Sequence, residues 1–147
     1  MGFDIYGRAP RSAHGEYFRN AVWDWHPLAD YVLEHVTIRE NDPFAWHRNV
    51  GHVVPARSAA VIAAVLTRLI ESGHAARYAE RREKLLRDLP DQRCDICDGT
   101  GRRSSRSCNA CGGKGAQPRF KTLCRFSVDN VAEFAIFCRD SGGFEIC

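Results

Sequence analysis

The sequence lacks the features that would place the chain in a membrane or mark it for secretion. Its longest apolar run, residues 59–66, is far shorter than the roughly 20 residues that cross a bilayer. The first residues, Met1-Gly2-Phe3-Asp4, have neither the basic stretch nor the apolar segment of a signal peptide. Gly2 is no myristoylation signal, because Tyr6 stands where Ser or Thr is required. We therefore expect a soluble, cytoplasmic protein with no membrane partner.

The sequence also lacks every familiar catalytic pattern. It contains no nucleophile elbow, phosphate-binding loop, Rossmann glycine signature or H-E-x-x-H pair. His47 and His52 are five residues apart, a poor spacing for two ligands on one helix face. Five other residues would be inspected first in an active site: Asp4, His14, Glu16, Arg19 and Trp46. We expect a protein without catalytic activity, and an enzyme with an unfamiliar site is the alternative.

Cysteine, by contrast, is abundant, and four of the seven cysteines lie in two copies of one motif. Residues 94–101 and 108–115 both read C-x-x-C-x-G-x-G. Cysteines separated by two residues can turn both sulfurs toward one point, and the glycines allow positive φ and a close approach of backbone to sulfur. We expect Cys94, Cys97, Cys108 and Cys111 to bind one structural Zn²⁺ in a hairpin spanning residues 92–118.

Other uses of these four thiols have to be weighed against zinc. An odd number of cysteines and the missing signal peptide argue against disulfides. A redox C-x-x-C would lie beside a βαβ pattern, whereas this segment is rich in glycine and arginine. An iron–sulfur cluster would use the same ligands. Zinc is favoured, and because four thiolates leave no position for a water molecule, its expected role is structural.

The doubled motif resembles the cysteine-rich zinc-finger module of DnaJ-type co-chaperones. In that family such motifs pair to hold zinc, and the module helps to present unfolded clients. The resemblance covers residues 94–115 and implies metal binding by the four cysteines. The ends of the chain, residues 1–7, 15–25 and 126–147, resemble small uncharacterised bacteriophage and prophage proteins. That second resemblance implies a phage context and no particular activity.

Positive charge is concentrated around the predicted hairpin. Residues 77–125 carry thirteen Lys and Arg against six Asp and Glu, although the whole chain has a net charge of only +3. Guanidinium groups can donate two parallel hydrogen bonds to oxyanions, so a metal-fixed basic loop suits an anionic partner. The candidate partner-binding residues are Arg102, Arg103, Arg106, Lys114, Arg119 and Lys121.

Charge patterning alone does not choose the partner. Nucleic acid is slightly favoured. The alternative is a protein-interaction module that meets an acidic protein surface, such as a phage-encoded inhibitor of a host factor or a chaperone-like adaptor. A third interpretation is a solvated charged loop with no partner.

The remaining sequence predicts a single α+β domain over residues 1–147, with the zinc hairpin inserted before its last third. We expect three to four helices and a small sheet near the termini. Apolar periodicity predicts helices at residues 22–36, 55–73 and 74–89, and a further helix capped by Ser127. Alternation predicts strands at residues 3–6, 16–19, 119–126 and 144–147, and residues 37–55 are predicted to form a long loop.

The first predicted helix has a specific expected orientation. Asn20 or Asp24 is expected to cap it, and Pro27 is tolerated in its first turn. Its inward face is predicted to carry Trp23, Leu28, Tyr31, Val32 and either His35 or Val36. In the loop that follows, Phe44 and Trp46 are the expected anchors.

Overall fold

The computed structural model describes residues 1–147, which form two compact units. Unit 1 comprises residues 1–82 and 124–147, and unit 2 comprises residues 83–123. Unit 2 contains the predicted hairpin and is an insertion in the sequence of unit 1.

The fold is α+β, as predicted, with six helices and eight short strands. Four helices are long, and the other two, α2 and α5, are single turns of four residues. In chain order the elements are β1 (Gly2–Gly7), a 3-10 turn (Ala13–Gly15), β2 (Tyr17–Ala21), α1 (Val22–His35), α2 (Pro43–Trp46), β3 (His52–Pro55), α3 (Ala56–Glu71), α4 (His74–Arg87), β4 (Gln92–Arg93), β5 (Arg102–Arg103), β6 (Arg106–Ser107), β7 (Ala116–Gln117), α5 (Phe120–Leu123), α6 (Val128–Asp140) and β8 (Gly143–Ile146).

A helix that crosses a bilayer has to be both long and apolar. No single helix meets both requirements; α3 and α4 meet them only when taken together, and this pair is bent by 76° at its break.

Unit 1 is built on a four-stranded antiparallel sheet in the order β2-β1-β8-β3. The last strand of the chain, β8, therefore lies between β1 and β3. Successive side chains of a strand point to opposite faces, and the buried alternates form one continuous apolar face. The residues of that face are Phe3, Ile5, Phe18, Val54, Phe144 and Ile146. β3 completes this sheet from within residues 37–55, which were predicted to be a loop.

The core against this sheet is rich in aromatic rings. Trp25 and Trp46 are fully buried, and their nearly parallel rings have centroids 6.0 Å apart. The Trp25 indole N–H donates to the Trp46 carbonyl at 2.7 Å, and the Trp46 indole N–H donates to the Glu40 carbonyl at 3.0 Å. Trp46 thus anchors the segment between α1 and β3, as predicted. Phe44, the other predicted anchor, is 60% exposed.

The predicted orientation of α1 is wrong at its start. Trp23 is 40% exposed, and Trp25, which was not assigned to the inward face, is buried in its place. The helix begins at Val22, and two positions along a helix rotate a side chain by about 200°, so only one of the two tryptophans can face inward. The expected cap is also absent: the N-cap is Ala21, which makes no side-chain capping bond.

The strand predicted at residues 119–126 is wrong as well. Residues Phe120–Leu123 form the helical turn α5, in which the Thr122 N–H and hydroxyl both bond to the Arg119 carbonyl. Alternating apolar residues over so short a segment also suit one helical turn, which explains the error. Ser127 caps α6 as predicted, because its Oγ accepts from the Asn130 N–H at 3.3 Å.

The two neighbouring tryptophans allow a direct stability test. We expect Trp25→Ala to lower the free energy of unfolding by about 3–5 kcal/mol, because it opens a cavity in the aromatic core. Trp23→Ala is the matched control and should cost much less, since much of that side chain is already in water. Urea denaturation followed by circular dichroism measures both, and equal losses would contradict the packing described.

Candidate metal centre

Four cysteine sulfurs converge at the centre of unit 2. The Sγ atoms of Cys94 and Cys108 are 4.0 Å apart, those of Cys97 and Cys111 are 3.8 Å apart, and all four lie within 4.8 Å of one another. A tetrahedral zinc ion with Zn–S bonds of about 2.3 Å would hold its sulfurs about 3.8 Å apart. These separations far exceed an S–S bond of about 2.05 Å. The four cysteines are positioned to hold a metal ion.

Two of the four sulfurs accept backbone hydrogen bonds that favour negative charge. The Gly101 N–H donates to Cys97 Sγ and the Gly115 N–H to Cys111 Sγ, both at 3.2 Å. Burial acts to raise the pKa of Cys97, but the Gly101 N–H and the three neighbouring thiols outweigh it and bring this pKa to about 7. At Cys94 the N–H groups of Cys97 and Ile96 act to lower the pKa, but burial and the neighbouring Cys97 and Cys111 thiols outweigh them and raise it to about 11. Hydrogen bonds to the charged form favour a thiolate, which is the form that ligates a metal.

Two copies of the motif form two knuckles related by a shift of 14 residues. Between the knuckles the Cys94 N–H donates to the Gly115 carbonyl, and the Cys108 N–H donates to the Gly101 carbonyl, both at 2.9 Å. Each knuckle therefore closes on the last glycine of the other. This reciprocity gives unit 2 an approximate two-fold symmetry.

The short strands around the knuckles follow the same repeat. β5 pairs with β6, and the equivalent strands of the other repeat, β7 and β4, pair with each other in the same antiparallel sense. A tight turn through Ser104 and Ser105 joins β5 to β6. Both serines have positive φ, 49° and 69°, as in the type I′ turns that connect two-residue hairpins. The predicted hairpin between the knuckles is thus present, and its arginines lie on its two strands.

The last glycine of each motif is required by space as well as by backbone angle. A Cβ on Gly101 would lie 2.3 Å from the Gly113 carbonyl oxygen, and one on Gly115 would lie 2.3 Å from the Gly99 oxygen. Both glycines have φ above 70°, which side chains rarely adopt. The position after the second cysteine differs: Gly112 has open space around it, and its counterpart Asp98 adopts φ 55°.

The predicted partner-binding residues all lie in unit 2, and the structure brings only some of them together. Arg103 on β5 stands directly opposite Arg106 on β6, and both line one groove. Neighbouring residues of a strand point to opposite faces, which separates Arg102 from Arg103. Lys114 is exposed in the second knuckle, whereas the Arg119 Nε donates to the Pro90 carbonyl at 3.1 Å. Lys121 is exposed on α5.

The histidines considered for an active site belong to unit 1. His47 Nε2 is 2.8 Å from an Asp30 oxygen, and its Nδ1 is 2.6 Å from His26 Nδ1. A carboxylate can only accept, so when His47 is neutral its Nε2–H donates to Asp30 and its Nδ1 is left to accept from His26 Nδ1–H. Burial lowers the pKa of His26, and the neighbouring His47 lowers it further. His52 instead bonds the Glu40 carbonyl at 2.9 Å.

Sequence reasoning missed the partners of His47, because His26 and Asp30 lie on a different element, α1. The pair separated by four residues on a helix was a weak signal that they share a face. Near the start of the chain, Asp4 accepts from the Tyr17 hydroxyl and pairs with Arg19 across β1 and β2. His14 and Glu16 lie in and next to the 3-10 turn.

Comparison of the chain with protein-family models, with curated proteins and with solved structures found no match.

The close approach of Gly101 to a carbonyl group of the other knuckle allows a direct test of this geometry. We expect Gly101→Ala to lower metal affinity at least tenfold, because its Cβ meets the Gly113 carbonyl and φ is unfavourable. Gly112→Asn is the control and should retain the metal, since space is open there and Asn tolerates positive φ. Competition with a chromophoric chelator measures both affinities. Equal metal retention by the two variants would contradict the close approach of the Gly101 backbone to the Gly113 carbonyl.

Proposed function

We propose that the chain is a non-enzymatic, zinc-stabilised binding protein of the cytoplasm whose basic hairpin contacts nucleic acid. The observation that carries the proposal is the convergence of four buried cysteines around a hairpin that bears three exposed arginines. Zinc is the metal that best suits a closed set of four thiolates, because it accepts tetrahedral sulfur ligation without redox chemistry. The motif's resemblance to DnaJ-type zinc modules supports the same metal.

The structural role of the metal follows from what unit 2 buries. The buried cluster of this unit consists of the four cysteines alone, whereas unit 1 has a large apolar core. Without a cation, four neighbouring sulfurs have no group to neutralise their charge, and no apolar core replaces the lost ligation. Unit 2 therefore depends on the metal to fold, as small zinc domains do.

Nucleic acid is favoured as partner by charge. Unit 2 carries nine Lys and Arg against five Asp and Glu. Its ion pairs use Arg87 and Arg93, while Arg102, Arg103 and Arg106 are exposed and take part in none. Arginines on the two short strands β5 and β6 are suited to phosphate oxygens, because each planar guanidinium group can donate two parallel hydrogen bonds.

A protein partner is the second candidate, and apolar exposure in unit 2 favours it. Ile96 is 54% exposed, and Leu123 is 48% exposed. Together with the arginines, such residues would suit an acidic protein surface with an apolar centre. This candidate corresponds to an adaptor or to an inhibitor of a host factor in a phage context.

Salt dependence tests the nucleic-acid proposal. We expect the metal-loaded chain to bind labelled DNA or RNA, with an affinity that falls steeply as salt rises. Each phosphate contact contributes about 0.9 to the log–log slope on duplex. Combining Arg102→Gln, Arg103→Gln and Arg106→Gln should reduce that slope by about 2–3. Fluorescence anisotropy over a salt series measures it.

The matched control removes the same charge elsewhere. Arg8, Arg11 and Arg68 are exposed arginines of unit 1, and their replacement by Gln should leave the slope nearly unchanged. Absence of binding at low salt, or equal slopes for the two triple variants, would overturn the proposal. Recovery of a specific acidic protein partner together with no nucleic-acid binding would favour the second candidate.

Metal removal tests the role of zinc. We expect one zinc per chain by elemental analysis, and iron in its place would contradict the assignment. A strong chelator should make residues 83–123 sensitive to protease while the helices of unit 1 keep their circular dichroism signal, because unit 1 has its own core. Wholesale loss of helix would show that the metal is integral to unit 1 as well.

A further inference from the structure

A groove of about 480 Å³ lies along the arginine hairpin within unit 2. Its lining includes the guanidinium-bearing residues Arg103 and Arg106, the apolar residues Ile96 and Ala110, and Asn109. The groove therefore combines positive charge, an apolar patch and an amide in one small space. Volumes of about 300–1,000 Å³ are typical of sites that hold a small ligand group.

The two arginines are not explained by the needs of the fold. Like charges directly opposite each other destabilise a strand pair, yet Arg103 faces Arg106 in the register of β5 and β6. The 14-residue repeat supplies a comparison, because the equivalent positions are Gln117 and Gln92, which face each other between β7 and β4. The same backbone pairing thus forms with neutral residues. At these facing positions only the β5–β6 pair carries charge.

The apolar patch shows the same departure from symmetry. Ile96 is the third residue of the first C-x-x-C and is 54% exposed. Its repeat equivalent is Ala110, so the knuckle backbone does not require a large side chain at this position. An exposed branched side chain next to two arginines without acidic partners is suited to a ligand that has both a flat apolar part and an anionic part.

We propose that this groove binds a nucleotide unit of single-stranded nucleic acid, with the phosphate on Arg103 and Arg106 and an unstacked base against Ile96. This proposal rests on the proposed function and narrows it. In a duplex the bases are stacked and paired, so only phosphates would reach the groove and Ile96 would contribute nothing. Asn109 supplies an amide that can bond a base edge, a group that is exposed in a single strand.

The test compares two forms of one probe. A fluorescein-labelled strand of about 16 nucleotides, the upper end of usual single-strand site sizes, is titrated alone and as its duplex with the metal-loaded full-length chain. We expect tighter binding of the single strand. Ile96→Ala introduces the residue that the repeat already has at position 110 and should weaken single-strand binding about fivefold while leaving duplex binding unchanged.

The control is Leu85→Ala, which truncates another exposed apolar residue of unit 2 outside the groove and should change neither affinity. Metal content of each variant verifies that the knuckles are intact. Equal affinity for the two probes, or an Ile96→Ala variant that binds the strand as wild type does, overturns the groove proposal while duplex binding would still support the broader function. Binding of neither probe overturns both.

Discussion

The convergence of four cysteine sulfurs, positioned to hold one metal ion, is the feature around which unit 2 is organised. Its buried cluster is made of those sulfurs and contains no aliphatic or aromatic side chain. A segment of this size with no apolar core has little hydrophobic free energy to offset the loss of chain entropy, which is why we propose that metal ligation supplies the difference. Backbone N–H groups directed at Cys97 and Cys111 stabilise the charge that the ligands carry.

Reciprocal pairing of the two knuckles makes the centre rigid. Each knuckle contributes two ligands and also receives the backbone of the other, because Gly101 and Gly115 pass close to opposing carbonyl groups. A turn between β5 and β6 is then held from both ends, although its two serines adopt an unfavourable positive φ. In the function that we propose, this constraint on β5 and β6 reduces the backbone entropy lost when their arginines bind a partner.

Positions at which the two copies of the repeat differ can be separated from those that both copies share. Positions that serve the metal are the same in both copies, namely the cysteines and the last two glycines. Other positions differ, such as Arg103 against Gln117 and Ile96 against Ala110, so the knuckles do not require a particular residue type there. Arg103 and Ile96 both line the groove, and in the function that we propose they recognise the partner. Unit 1, with its aromatic core and central β8, shows no comparable internal repeat in its elements.

Local spacing was enough to predict the ligands, the main helices and the cap at Ser127. Cysteine spacing and the glycines beside it act over a few residues, and the apolar stripe of α3 repeats within one helix. The local pattern gave two wrong predictions. It placed Trp23 and not Trp25 on the buried face of α1, and it predicted a strand where Phe120–Leu123 form a helical turn. The first error concerns the helix face, since α1 begins at Val22 as predicted: Trp25 lies three residues before Leu28 and seven before Val32 and so shares their buried face. The second error arose because alternation over four residues also suits one helical turn.

Contacts between residues distant in sequence could be identified only in the folded structure. Placement of β8 between β1 and β3 and the bond between His47 and His26 join segments whose pairing no local pattern encodes. Such pairings are selected by the burial of whole faces and by the register of strands, which depend on every element at once. Residue types and their spacing could therefore name the metal ligands, whereas the groove beside them emerged only when both knuckles closed on each other.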